Sequence, residues 1–160
     1  WSGREGRWVL HRGDLLSCLA QAPRTAELIF FDPFSPQSDA RLWTPAAFAA
    51  VRACCRSDKE GALLMTYSAA TPMRVSLLLG GFFVGTGVSS GSKRETTEAA
   101  SVLSSLASPL GARWLARWER SSARAPIGET TLSAQHEAEL RAHAQFRLQD
   151  ENAVRDATRT

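Results

Sequence analysis

The chain has 160 residues, 44% of them hydrophobic and 22% charged, with a formal net charge of +3. This length suits one domain and is short for two, and the composition is that of an ordinary globular protein. The positive excess permits a polyanionic partner such as RNA without arguing for one, because all basic residues except Lys59 and Lys93 are arginines in an alanine-rich chain, a bias typical of GC-rich coding.

Trp8-Val9-Leu10-His11 reads as a short strand, ended by Gly13-Asp14. Asp14 suits the N-cap of a helix from Leu15 to Gln21 with Leu15, Leu16 and Leu19 on its apolar side. Leu28-Ile29-Phe30-Phe31 is an unbroken apolar run, the pattern of a central strand in a parallel sheet covered on both faces. Two prolines in Asp32-Pro33-Phe34-Ser35-Pro36 end it. Thr44-Pro45 then pairs a capping hydroxyl with proline at the first helical position, and Phe48, Val51 and Cys55 follow at helical spacing. Ala62 to Met65 reads as the next strand. Thr71-Pro72 repeats the cap-and-proline signal, and Gly80-Gly81 stops that helix. Phe82 to Gly85 is a strand, and a glycine-rich turn over 85–91 leads to an antiparallel partner at Lys93 to Thr97. Further on, Trp114, Leu115 and Trp118 mark an amphipathic helix, and residues 135–155 read as a solvent-exposed charged helix or a frayed tail.

Alternating strands and helices at this spacing specify an α/β sheet, mostly parallel, with an antiparallel hairpin at its carboxy-terminal side. We divide the chain into residues 1–108, which build the sheet, and a helical, charged extension over 109–160. Cys18, Cys54 and Cys55 have neither metal-ligand nor disulfide-framework spacing, and His11, His136 and His143 are scattered, so no metal site is expected. No apolar run approaches the roughly 20 residues of a membrane helix, and a cytoplasmic protein is expected. No methionine opens the chain, so it is expected to begin within a longer protein.

Three segments together carry a resemblance. They are Leu28 to Pro36 with Leu42-Trp43-Thr44-Pro45 following, Thr66-Tyr67-Ser68-Ala69-Ala70-Thr71-Pro72-Met73-Arg74, and Gly91-Ser92-Lys93-Arg94-Glu95. In this order they resemble the methyltransferase domain of MnmC-type tRNA modification proteins, stand-alone form, over about residues 8–98. Ser92 departs from the family, which usually has arginine there. The resemblance implies a Rossmann-like class I methyltransferase sheet whose first strands, with the glycine-rich loop for the methionine part of S-adenosylmethionine, lie before Trp8. It therefore implies the later half of a domain, poorly able to bind the cofactor alone. It further implies methyl transfer to the aminomethyl nitrogen of a modified wobble uridine in tRNA.

Ligands of open α/β sheets sit beyond the carboxyl ends of the strands, where Asp14, Asp32 and Tyr67 fall. Asp32 is the expected catalytic residue, accepting hydrogen bonds or a proton from the substrate amine; the same place suits a contact to the cofactor's amino group, and a turn-capping aspartate is the plain alternative. Asp14 and Leu15 are expected at the adenine side of the cofactor, although Asp14 also suits a plain N-cap. Pro33, Phe34 and Tyr67 are expected at the substrate, and Lys93 and Arg94 at tRNA phosphates, against the alternative of a charge-blunted edge strand. Thr71 reads as a cap, Arg74 as a surface arginine, Glu95 as the partner of a neighbouring base, and Trp43 as an anchor for its helix. A small-molecule amine transferase of the same fold, aminopropyltransferase-like, and a non-catalytic relic that binds RNA or protein are the competing readings.

Overall fold

The computed structural model describes residues 6, 8–89 and 95–148. The elements follow in the order α1 (Leu15–Leu19), β1 (Leu28–Phe30), a 3₁₀ turn (Ala40–Trp43), α2 (Pro45–Ala53), β2 (Leu63–Thr66), α3 (Thr71–Leu79), β3 (Phe83–Gly87), β4 (Thr96–Ala100), a second 3₁₀ turn (Leu103–Ser105), α4 (Ala112–Glu119) and α5 (Ala134–Arg141). One sheet has the order β1-β2-β4-β3. β1 and β2 are parallel, and β4 runs antiparallel between β2 and β3. Three strands thus point one way, and the expected hairpin inserts its return strand into the sheet.

Strand alternation divides the side chains between two faces. Phe31, Leu64, Val84 and Ala99 are buried, with Phe48, Val51, Val75 and Leu78 from α2 and α3 in the same core cluster. The opposite face carries Leu28 and Phe30 from β1, 52% and 76% exposed. The core continues beyond the sheet through Leu110, Trp114, Trp118, Leu140 and Phe146.

Several elements follow from local chemistry. Asp14 caps α1 through Ser17 N. Thr44 caps α2 through Ala47 N, with proline in the first turn. Gly80 closes α3, and Gly81 takes φ +86°, a conformation that favours glycine.

Other expectations are corrected. Residues 8–11 form no strand, and Trp8 is 99% exposed: among the described residues nothing offers this segment a ladder, and an isolated strand is not stable in water. Among the described residues only β2 pairs with β1, so β1 stands at the margin of the described sheet rather than inside it. Ala70, not Thr71, is the N-cap of α3, without a side-chain cap bond. Gly85 lies in the strand, as its place in the Phe82–Gly85 run implied, and β3 continues to Gly87, which was expected in the turn. Side chains there would collide with neighbours: a Cβ on Gly85 would lie 2.7 Å from the Ser108 carbonyl oxygen, and one on Gly87 2.4 Å from Thr96 Oγ1. Glu95 precedes the β4 ladder, which begins at Thr96 among the described residues, and the expected start at Lys93 and Arg94 lies outside them.

The segment from Ala134 onward is not a free tail within the described residues. Leu140, Gln145 and Phe146 are buried, and the Gln145 amide donates to the Val84 and Leu110 carbonyls (2.8 and 2.6 Å) and accepts from Val84 N (2.7 Å). Beside it, burial holds the His143 imidazole below its ordinary pKa, and its ring meets Phe83 and Phe146 edge-on.

Candidate functional site

The site is built where β1 and β2 end together. Phe31 N donates to Met65 O at 2.9 Å, which carries the parallel ladder one residue past β1 and releases the chain at Asp32. Pro33 then prevents continuation. The loop is pinned from below: Trp43 is buried against Phe31, edge to face with ring centroids 5.4 Å apart, and its Nε1 donates to Phe34 O at 2.9 Å. Trp43 therefore anchors the start of α2, as expected, and also fixes the loop that carries Asp32.

Asp32 is exposed and lines two cavities. The smaller, about 180 Å³, lies over the sheet face opposite α2 and α3. Its floor and walls include Phe30, Met65, Tyr67, Val88, Thr96 and Glu98. The larger, about 550 Å³, follows the open side of β1 and is walled by Leu15, Leu19, Ile29, Phe31, Pro33 and Val51. Asp32 makes no hydrogen bond or ion pair with the described residues.

The structure thus brings Asp32 and Tyr67 to one cavity, and Asp32, Pro33 and Leu15 to the other. Asp14 and Phe34 line neither. Asp14 Oδ2 accepts from Ser17 N at 3.1 Å and Ser17 Oγ at 3.2 Å, while its Oδ1 lies 4.0 Å from Arg41. Phe34 points outward and contributes its carbonyl to Trp43. Lys93 and Arg94 lie outside the described residues. Sequence reasoning missed Met65, Val88, Thr96 and Glu98, whose shared position depends on strand register. A lone acid in Thr96-Thr97-Glu98-Ala99-Ala100 was the available signal.

Arg74 is not a surface residue. It is 2% exposed, and its guanidinium donates to Thr97 Oγ1 (3.0 Å), Thr96 O (3.1 Å) and Glu95 Oε1 (2.8 Å). Glu95 pairs with a base, as expected, and the pair ties α3 to the start of β4 beside the smaller cavity. Because Glu95 is partly solvated, its Coulombic share is screened. Arg74→Met is therefore expected to cost about 2 kcal/mol, mostly from acceptors left unpaired. In urea titrations this reads as a midpoint roughly 1 M lower.

The cysteines are free thiols, and burial pushes the Cys55 thiol up in pKa, away from the reactive thiolate. Among the described residues no group of three His, Cys, Asp or Glu side chains could hold a metal ion, and no helix is long and apolar enough to cross a membrane.

The family described as S-adenosyl-L-methionine-dependent methyltransferase matches residues 4–102. The tRNA 5-methylaminomethyl-2-thiouridine biosynthesis bifunctional protein MnmC of Ectopseudomonas mendocina is 32% identical over 105 residues, 66% of this chain and 15% of that protein. Its namesake from Ralstonia nicotianae is 36% identical over 92 residues, 58% of this chain and 14% of that protein. The chain thus spans about one seventh of the length of these relatives. The crystal structure of MNMC2 from Aquifex aeolicus matches with a TM-score of 0.59 at 24% identity, over 83% of this chain and 43% of that one, a likeness of fold. By the match over residues 4–102, the chain belongs to the S-adenosyl-L-methionine-dependent methyltransferase family.

Proposed function

We propose that this chain forms the acceptor side of an enzyme that methylates the aminomethyl nitrogen of a modified wobble uridine in tRNA, in the cytoplasm. The observation that carries the reading is Asp32, a carboxylate that bonds no described residue, at the carboxyl end of a parallel strand, opening on two cavities. The names of the similar proteins, which concern tRNA 5-methylaminomethyl-2-thiouridine biosynthesis, support the substrate class.

The residues present fit the adenine side of S-adenosylmethionine. Leu15, Leu19 and Ile29 offer apolar walls to a flat ring, and Asp32 offers an acceptor beside them; Asp14, which precedes Leu15, is assigned to the adenine on the sequence resemblance. When bound, the cofactor supplies an electrophilic methyl on a sulfonium that is already a good leaving group. This chain's task is alignment and proton handling. Asp32 accepts a hydrogen bond from the amine, orients its lone pair toward the larger cavity and takes up the proton released as the nitrogen–carbon bond forms. Tyr67, which lines the smaller cavity, is assigned to the nucleobase. Lys93 and Arg94 are assigned to tRNA phosphates on the sequence resemblance, which predicts salt-sensitive binding.

The test is a transfer assay on the full-length protein with methyl-labelled S-adenosylmethionine. It offers tRNA bearing 5-aminomethyl-2-thiouridine and, separately, a polyamine. Label is expected in the tRNA. Label in the polyamine alone points to a small-molecule amine transferase, and label in neither to a non-catalytic chain.

A further inference from the structure

Residues 144–148 form a short helix after α5, and His143 stands immediately before it, in the N-cap position. Gln145 N donates to His143 Nδ1 at 3.2 Å. A backbone N–H can only donate, so Nδ1 accepts and carries no proton. The backbone of Leu78, on α3, holds the ring by a second hydrogen bond that favours protonation, which makes the Leu78 carbonyl the acceptor and Nε2 the donor. The imidazole is therefore neutral with both nitrogens in use, one capping the helix and one tying it to α3.

The same segment joins the sheet. Gln145 is capped at its backbone, and its side chain bonds Val84 and Leu110. Phe146 lies in the core, its ring parallel to Trp114 with centroids 6.2 Å apart. The imidazole packs against Phe83 of β3, at 5.8 Å between centroids, and Phe146, at 6.0 Å. The charge acting on it is the Arg147 guanidinium, which opposes a second positive charge. The ionisable groups of the neighbouring elements have other partners. On α5, His136 pairs with Glu129, Glu137 with Arg141 and Arg124, and Glu139 with Gln135; on α4, Glu119 pairs with Arg141, while Arg113 and Arg117 are exposed; on α3, Arg74 is bound to β4, and β3 has none. Among the described residues no carboxylate bonds the ring.

A proton added at Nδ1 would replace the cap's acceptor by a donor facing the Gln145 N–H, and would place a charge among aromatic rings. We propose that His143 is an acid-sensitive latch, which holds residues 144–148 and the Gln145 bonds on β3 while its ring is neutral and releases them when Nδ1 takes a proton. Burial holds the docked ring below the ordinary pKa of 6.5, so the released segment binds the proton more tightly. Docking is at full strength above that value and weakens as pH falls below it.

The experiment follows amide hydrogen exchange by NMR on the full chain at about pH 7.5 and about pH 5.5, corrected for intrinsic rates. The Val84 amide, bonded to Gln145 Oε1, is expected to lose protection several-fold at the lower pH, with about tenfold as the ceiling for one proton. The Phe31 and Ser101 amides, bonded to Met65 O and Ala62 O, are expected to keep theirs. His143→Asn, whose carboxamide oxygen can stand where Nδ1 does, and independently His143→Gln are expected to abolish the pH dependence. Constant Val84 protection in the wild type overturns the latch, and so does an equal loss in either neutral variant. Should neither variant protect Val84 at neutral pH, the wild-type ring decides. Titration of its Cε1 proton below 6.5 and in step with Val84 supports the latch, and titration at or above 6.5, or apart from Val84, overturns it.

Discussion

Asp32→Asn is expected to lower methyl transfer to tRNA by about 10² to 10⁴-fold, the range typical of a lost acid–base group, while the protein still folds. The argument is local. Asp32 is exposed and bonds no described residue, so amide replacement removes no structural partner. Its backbone is held by neighbours, through the Phe31 N to Met65 O bond on one side and Trp43 against Phe34 O on the other. The carboxamide keeps the shape and one acceptor oxygen but cannot take a proton, so cofactor binding should change little and turnover should fall. Single-turnover transfer and thermal melts separate the effects. Wild-type turnover in the variant removes Asp32 from the chemistry. Equal losses of turnover and of melting temperature show a structural role instead.

Gln145→Leu is expected to cost about 3 kcal/mol, the largest stability loss among these substitutions. Gln145 is fully buried and behaves as a fragment of an additional strand, giving Val84 both an acceptor and a donor and also bonding Leu110 O. Leucine fills similar space but leaves Val84 N–H buried without its acceptor, and that desolvation dominates the cost. For a domain of this size the melting temperature should fall by about 10 °C. The exposed Gln135, bonded to Glu139, is the control, and Gln135→Leu should change it little. An unchanged melt in Gln145→Leu would mean that residues 144–148 do not dock on β3 in solution.

What was legible in the sequence is what short-range chemistry determines. Thr44-Pro45 marked α2 because capping and proline placement are decided within one turn. Asp14 marked α1 for the same reason, and Gly80-Gly81 closed α3. Asp32 was legible because an apolar run followed by Asp-Pro can scarcely be anything but a strand end. Pairing was not legible. An apolar run reads alike at the centre and at the margin of a sheet, so the run itself did not say that β2 is the one described neighbour of β1. Arg74 looked like a surface cation because its acceptors, Glu95, Thr96 and Thr97, come from β4, more than twenty residues later. Glu98 and Gln145 escaped for the same reason: one reaches the cavity through strand register, the other lies on a segment after α5 that returns to a distant strand.

The two margins of the sheet differ in kind. Along β3 the chain seals its own border: Ser108 O accepts from Thr86 N, Leu110 N donates to Val84 O, and Gln145 completes the row. Along β1 nothing described does so, and the bare ladder is flanked by uncovered Leu28 and Phe30. Any polypeptide able to lay an extended segment there would gain backbone bonds and apolar cover at once. Among the described residues, therefore, the ladder is sealed along β3 and unpaired along β1.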